Sequence, residues 1–446
     1  MTARRRLAGI GLAAVMVVGA SGCLQQPGGG GEGGVGGVVA DNAQPDGDST
    51  VTILGAFGGA EQEAFEASLA AFEDESGIDI EYTADSDFTT TIKQKVNSGD
   101  APDIGFFPQP GGLLELAGQD KIQAIDTFLD YDKLDETLVP GFLESARLNG
   151  RVYGAPMRMA IKSVVWYPKK AWDEAGYPKE FATYQELMDF SQQLVDDGQT
   201  PWCMGWESEA ATGWVGTDWL EEMVLRVAGP DVYDQWVTHK IPFNDPAIVE
   251  SLDIFGDLAK NPDLVYGGVR GVLNTPFSEA GLPSFDNPPK CWMERQGNFV
   301  TGFYPEEVQA NLDEEVGQFV FPPYEGGYEG TPVLGGGDIA ALFNGNDEDA
   351  QAVMEFLTSD QFGAEWAQAG GWLSPHATFD ASNYPDETTR TVAEIAANAS
   401  VFRYDASDVM PKSVGSGTFW TEMVKWLNGE SSEDATTAIE DSWPTS

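Results

Sequence analysis

The chain has 446 residues and carries 72 acidic against 24 basic side chains, a formal net charge of −48. Such an excess argues against nucleic acid and anionic membrane surfaces as partners, because repulsion would outweigh any phosphate contacts. Only two histidines occur, His239 and His376, so a histidine-based metal site or a Ser-His-Asp triad has little material.

In chain order, Arg4, Arg5 and Arg6 precede an apolar run over 7–18 that ends in Val18-Gly-Ala-Ser-Gly-Cys23. The run is too short for a transmembrane helix, and its basic front and small-residue end predict a secretory signal over 1–22. A lone cysteine behind small residues predicts lipid attachment at Cys23, although Ala20 stands where the bacterial lipoprotein box usually has leucine. Residues 23–48 read as a linker, since eight of the ten positions 28–37 are glycine. Gly31 to Gly36 match G-x-G-x-x-G without a preceding strand or a following helix, so no dinucleotide site is expected there. In an oxidising compartment the two remaining cysteines, Cys203 and Cys291, are expected to form a disulfide.

From residue 51 strands and helices alternate. Strands are predicted over 51–55, 78–82 and 103–107. Helices are predicted over 60–75, with Phe65, Leu69 and Phe72 on one face, and over 88–96. This is an α/β layer with a mainly parallel sheet, whose strand ends place residues 55–59 and 107–112 at a cleft mouth. Thr183-x-x-Glu186 forms a capping box for a helix to 195, and further helices are expected over 214–227 and 246–260. Strand patterns return at 316–321 and 338–343. Helical spacing then dominates over 347–357, 362–369, 388–398, 418–427 and 433–443. The mixture predicts two α/β lobes with more than one crossing between them.

The aromatic content is more informative than the acids. Trp202, Trp206, Trp214 and Trp219 fall within eighteen residues, interleaved with Glu207 and Asp218. Flat aromatics suit the apolar faces of sugar rings, and carboxylates, amides and arginine suit their hydroxyl rims. Glu207, Glu209, Asp218, Glu221 and Glu222 also leave open a carboxylate pair for glycoside hydrolysis.

The blocks Thr200-Pro-Trp-Cys-Met-Gly205, Ala211-Thr-Gly-Trp-Val-Gly-Thr-Asp-Trp219, Pro288-Pro-Lys-Cys-Trp292, Gln296-Gly-Asn-Phe299, Phe402-Arg-Tyr-Asp-Ala-Ser-Asp-Val-Met-Pro411 and Gly417-Thr-Phe-Trp420 occur in that order, followed by Ile439-x3-Trp443-Pro444. With them the chain resembles the extracellular solute-binding proteins that feed carbohydrate ABC importers, and looks closest to those binding α-glucosides. The resemblance implies a two-lobed periplasmic-binding-protein-like clamshell of type II, maltose-binding-protein-like, with several crossovers. It further implies a first lobe of 49–158 plus 336–387 and a second of 159–335 plus 388–446. No enzyme activity, cofactor or metal is implied. The partners are a small oligosaccharide or glycoside, the ABC permease transmembrane subunits and, through the lipid anchor, the membrane; the protein itself is expected to be a monomer. A polyol, an amino sugar or a polyamine remains an alternative solute, and a secreted glycosidase an alternative class.

Carried onto this chain, the resemblance makes Phe107, Gln109, Arg158 and Lys162 candidate contacts from the first lobe and the crossover. Trp206, Glu207, Trp214, Asp218, Phe303 (or Phe299) and Trp420 would form the second-lobe wall. Gly336 and Asp338 lie where the chain returns, with Trp372 in a loop after a helix. Arg403 is a candidate contact that alternatively forms a structural ion pair with Asp408.

Overall fold

The computed structural model describes residues 50–444 apart from Ser86. The expected signal, Cys23 and the linker lie outside the described residues. No helix among the described residues is long and apolar enough to cross a membrane.

Strand β1 (Thr50–Gly55) is flanked by β2 (Asp79–Ala84) and β3 (Ile104–Phe107), both parallel to it. Val51, Ile53 and Leu54 are all buried, the near-continuous apolar run of a strand covered on both faces, whereas β2 at the sheet edge alternates exposed and half-buried residues. Helix α1 (Ala60–Ser76) buries Phe65 and Leu69 and stops at Gly77, whose φ of 75° lets its N–H cap the Glu73 carbonyl. Helix α2 (Phe88–Ser98) buries Phe88, Ile92 and Val96, one residue per turn. Helix α3 (Pro110–Ala117) follows β3 directly with Pro110 in its first turn.

The chain then crosses through β4 (Ala155–Ile161) and β5 (Val164–Pro168). Alternation along β5 gives each core one face: Val164 and Trp166 pack with the first core, Val165 and Tyr167 with the second. The expected capping box forms with its return bond shifted one residue ahead of the N-cap. In α4 (Tyr184–Asp196) Thr183 Oγ accepts from the Glu186 N–H at 3.2 Å, and the Glu186 carboxylate accepts from the Ala182 N–H at 2.9 Å. Helix α5 (Trp214–Val227) is buried from Val215 to Arg226 and forms the axis of the second core. Trp219 stacks on Phe255 of α6 (Pro246–Ala259) at 5.1 Å, and Phe255 stacks in turn on Trp426.

Strands β6 (Glu294–Arg295) and β7 (Val316–Val320) flank β5 in a three-stranded antiparallel sheet, so the second core is helices around a small antiparallel sheet. Strand β8 (Pro332–Leu342) starts six residues before the expected 338. It runs antiparallel to β3 and β4 and parallel to β9 (Val401–Tyr404), which makes the large sheet mixed beyond its parallel first three strands. The glycines placed where the chain returns are inside β8. A Cβ on Gly335 would lie 2.3 Å from the Ala160 carbonyl oxygen and one on Gly337 2.0 Å from that of Arg158, so only glycine permits the β4–β8 approach.

The cores divide the chain differently from the expected boundaries. Met159, Ile161, Val300, Tyr304 and Val316 belong to the first core although they fall within 159–335, and Val392, Ala396, Phe402 and Tyr404 do so although they follow 388. The last passage into the second core comes at Asp405 and Ala406. Cys203 and Cys291 are bonded, with Cα atoms 5.3 Å apart and 88 positions between them in sequence.

Candidate functional site

A cleft of about 420 Å³ opens where the two cores meet. The first core supplies Glu61 from α1, Pro108 and Gln109 from the end of β3, Arg158 to Ala160 from β4, Gly336 to Asp338 from β8, and Gly371. Opposite stand Ser208, Trp214, Phe277, Phe299 and Phe303, and the floor holds Lys162, Asn298, Asp405 and Asp408. The position agrees with a cleft beyond the carboxyl ends of β1 and β3.

The polar wall is built on Arg158. Its Nε donates to Asp338 and its Nη1 to Glu61, each at 2.7 Å, while its guanidinium lies over Phe57 with 4.6 Å to the ring centroid. Burial works against the charged guanidinium, but Asp338 and Glu61 outweigh it and hold its pKa above the usual range. Burial likewise pushes Asp338 up while Arg158 pulls it down, and burial prevails. Two forked donors and two carboxylates thus stand fixed at the wall, with spare lone pairs for hydroxyl groups. Tyr404 fixes the backbone behind them, its single hydroxyl hydrogen donated to the Gly337 carbonyl with that of Pro108 also in reach at 3.1 Å.

The facing wall is aromatic. Trp214 meets Phe277 edge-on at 5.1 Å and Phe299 at 6.2 Å, and Phe277 meets Phe303 at 5.5 Å with rings perpendicular. Phe303 is 42% exposed, one of the few large apolar side chains so open. The edge-to-face arrangement fixes the rings against one another and leaves faces open to the cleft.

Between the walls, Lys162 Nζ lies 3.0 Å from Asp218 and 2.5 Å from Asp405, and 5.2 Å from the centroid of Trp214. Burial opposes its charge, yet Asp218, Asp405 and Asp408 keep it firmly protonated. Its acids are in the opposite position. Burial, and then repulsion from Asp218, pushes Glu221 up to about 8, and burial pushes Asp408 up to about 7 against the pull of Lys162. Asp405 rises well above the carboxylate range for the same reason.

Of the sequence-derived candidates, the cleft brings together Gln109, Arg158, Lys162, Trp214, Phe303, Gly336 and Asp338, with Asp218 directly behind Lys162. Others stand elsewhere. Trp206 is fully buried, stacked on Phe255 beneath Gly216, where a Cβ would come within 2.5 Å of its ring. Trp372 is buried among Phe362, Trp366 and Phe379, leaving its neighbour Gly371 on the cleft. Phe107 packs between Phe88 and Phe343 in the first core. Glu207 bridges to Pro276 and accepts from the Glu209 N–H, and the half-buried Trp420 presents its backbone to Gly213. Arg403 pairs with Asp234 through two bonds of 2.6 and 2.7 Å, not with Asp408, which belongs to the Lys162 cluster. Glu222, weighed for hydrolysis, is held by Arg226 and Arg295. Sequence reasoning missed Glu61, Phe277, Asn298 and Asp405. Asp405 sits in a block that carried the resemblance, whereas nothing local marks Phe277.

A cleft between two cores, with a hydrogen-bonding wall facing an aromatic one, is the site of a receptor that clasps a small polar solute. The chain belongs to the bacterial extracellular solute-binding protein family, whose model matches residues 58–364. It is 43% identical to the osmoprotective compounds-binding protein GgtB of Synechocystis sp. over 88% of this chain and 92% of that one. It is 33% identical to the alpha-glucosides-binding periplasmic protein AglE of Rhizobium meliloti over 88% and 87%. Among solved structures, the solute receptor AcbH superposes with a TM-score of 0.73 at 18% identity, covering 89% of this chain and 98% of that one. The cyclic alpha-maltosyl-1,6-maltose binding protein of Arthrobacter globiformis gives 0.64 at 21% identity over 88% and 97%. The fold is therefore the two-lobed α/β binding-protein fold, and the family places the protein outside the cytoplasm.

Proposed function

We propose that the protein captures a short α-glucoside or small oligosaccharide and delivers it to the transmembrane subunits of an ABC importer. The observation that carries this reading is the pairing of the Trp214, Phe277, Phe299 and Phe303 wall with the Arg158, Asp338, Glu61 and Gln109 wall across one cleft. A sugar ring has an apolar face and a polar rim, and both are matched here. A volume of about 420 Å³ is at the small end of ligand sites and favours a short ligand. The relatives agree, one being described as binding α-glucosides and another as binding osmoprotective compounds.

The two cores act as the two lobes. A ligand touching both walls stabilises the closed arrangement only through contacts it lacks in the open one, so capture needs no covalent step. The protein works as a monomer, tethered through a lipid on Cys23. The test is a thermal-shift and calorimetric panel of maltose, trehalose, sucrose, cellobiose, a polyol, an amino sugar and spermidine, with product analysis in parallel. Stabilisation by an α-glucoside without turnover is expected, because a ligand bound to the native state raises its stability by mass action. Turnover abolished by replacing one carboxylate, or stabilisation by spermidine alone, would overturn the reading.

A further inference from the structure

The acids beneath the cleft exceed what Lys162 neutralises. Asp218 and Glu221 project from successive turns of α5, and Asp405 joins them from the last passage between the cores. Asp408 adds a fourth carboxylate, so four acids share one ammonium group. Asp218, Glu221 and Asp405 each place an oxygen within 4.8 Å of the other two. Calcium takes carboxylate oxygens at 2.3–2.6 Å, and two such oxygens on opposite sides of the ion stand about 4.8 Å apart.

A cluster of this kind is not a site merely because it is acidic. Glu221 supplies a second observation. It is 0% exposed, one carboxylate oxygen accepts from the Ser407 N–H at 2.9 Å, and the other, Oε2, is buried without a hydrogen-bond donor. An unpartnered carboxylate oxygen in a low-dielectric interior is costly unless a cation or a proton meets it. Elsewhere on the same helix that cost is avoided with arginines: Glu222 has Arg226 at 2.8 Å and Arg295 at 3.0 Å.

From this geometry we infer that Asp218, Glu221 and Asp405 form a divalent-cation site for a hard ion, calcium in the first place, reached from the cleft through Asp405 and Asp408. The donor set is oxygen only, which disfavours zinc and copper. A bound ion ties α5 to the segment after β9 and joins Lys162 in compensating the four carboxylates. The inference departs from the expectation of a metal-free protein and does not rest on the nature of the sugar.

The test uses the full mature chain, stripped with EDTA and kept in high KCl, so that diffuse attraction to its acidic surface is screened. Calcium is titrated calorimetrically, and terbium is titrated by luminescence excited through tryptophan, for which Trp214 lies 5.2 Å from the Lys162 ammonium at the edge of the cluster. One saturable site, displaced by calcium and weakened about tenfold or more in Glu221→Gln, is expected. Trp214→Phe should dim the terbium signal without changing calorimetric calcium affinity. Absence of saturable binding to the wild-type chain, or a Glu221→Gln variant that binds as the wild type does, would overturn the inference. Should Glu221→Gln not fold, Asp218→Asn serves as the second variant under the same criterion. Glucoside binding measured with and without calcium is scored separately, so the sugar assignment and the cation site fail independently.

Discussion

Two groups of buried charges lie side by side along helix α5, and they are built on opposite terms. Glu222 is met by Arg226, Arg295 and the Ser163 hydroxyl, and although burial alone would raise it, the arginines hold its pKa below the usual range. Asp218 and Glu221 face Asp405, Asp408 and a single lysine, and there burial wins and the acids rise. Burial is the same in both groups; the difference is which charge is in excess, two guanidiniums to one carboxylate around Glu222 and four carboxylates to one ammonium around Lys162. The arginine-held group joins elements, since Ser163 also accepts from the Leu334 N–H and so links the β4–β5 connection, α5 and β8. The acid-rich group borders the cleft, where a ligand or an ion can compensate the excess. Uncompensated acid therefore separates site from scaffold here better than depth does.

Breaking the arginine-held group should have the largest effect. Glu222→Leu leaves Arg226 and Arg295 buried without their carboxylate, and a loss of about 3–5 kcal/mol in urea unfolding is expected. A loss below about 1 kcal/mol would show that the pair is dispensable. Glu294 extends the comparison as a buried acid whose carboxylate, among the described residues, accepts a hydrogen bond only from the Tyr304 hydroxyl, at 3.3 Å. Burial pushes it up to about 8 against the pull of that hydrogen bond. The folded state therefore holds a proton that the unfolded chain has released above about pH 4.5. Its stabilising contribution is complete below that pH and declines as pH rises through about 8, on the order of 2–4 kcal/mol between pH 5 and 8. Unfolding measured across that range should flatten in Glu294→Gln, and an unchanged slope would remove Glu294 as the cause.

The cleft aromatics should separate affinity from stability. Trp214→Ala should weaken glucoside binding about 10–100-fold, about 1.4–2.8 kcal/mol, with a smaller fall in melting temperature than Trp206→Ala, whose ring is wholly in the core. Equal stability losses with unchanged affinity would place Trp214 in the scaffold. The smallest effect is expected at Asp408→Asn. Removing one acid from the acid-rich group should stabilise the free protein by on the order of 1 kcal/mol at neutral pH, whereas removing Glu222 from between its two arginines destabilises it.

The parallel start of the large sheet was legible in the sequence because its signals are local. Val51, Ile53 and Leu54 form a buried run, and Phe65 and Leu69 mark one face of α1. The aromatic wall was only half legible. Trp206 and Trp214 have similar surroundings in the chain, and what separates them is Gly216, which admits the Trp206 ring against α5 and turns it into core. Phe277 gave no local signal, because its place beside Trp214 is decided by packing between distant segments. Arg403 was misread for a related reason: its partner Asp234 lies 169 positions away, farther than any motif reaches. The reach of β8 was missed because Gly335 to Gly337 have no side chains to show a strand's alternation, and those missing side chains are what allow two strands to meet.

The bond between Cys203 and Cys291 encloses nearly half of the second core, including α5 and α6. In the chain-entropy view, closing a loop of 88 positions contributes on the order of 4–5 kcal/mol, comparable with the whole stability of many domains. Without an oxidant that contribution is lost. A chain retained in a reducing compartment would hold an aromatic wall whose supporting core is only loosely gathered, and would bind sugar poorly. An oxidising compartment thus stabilises the lobe that carries the aromatic wall, and laboratory production should direct the chain there before any sugar is tested.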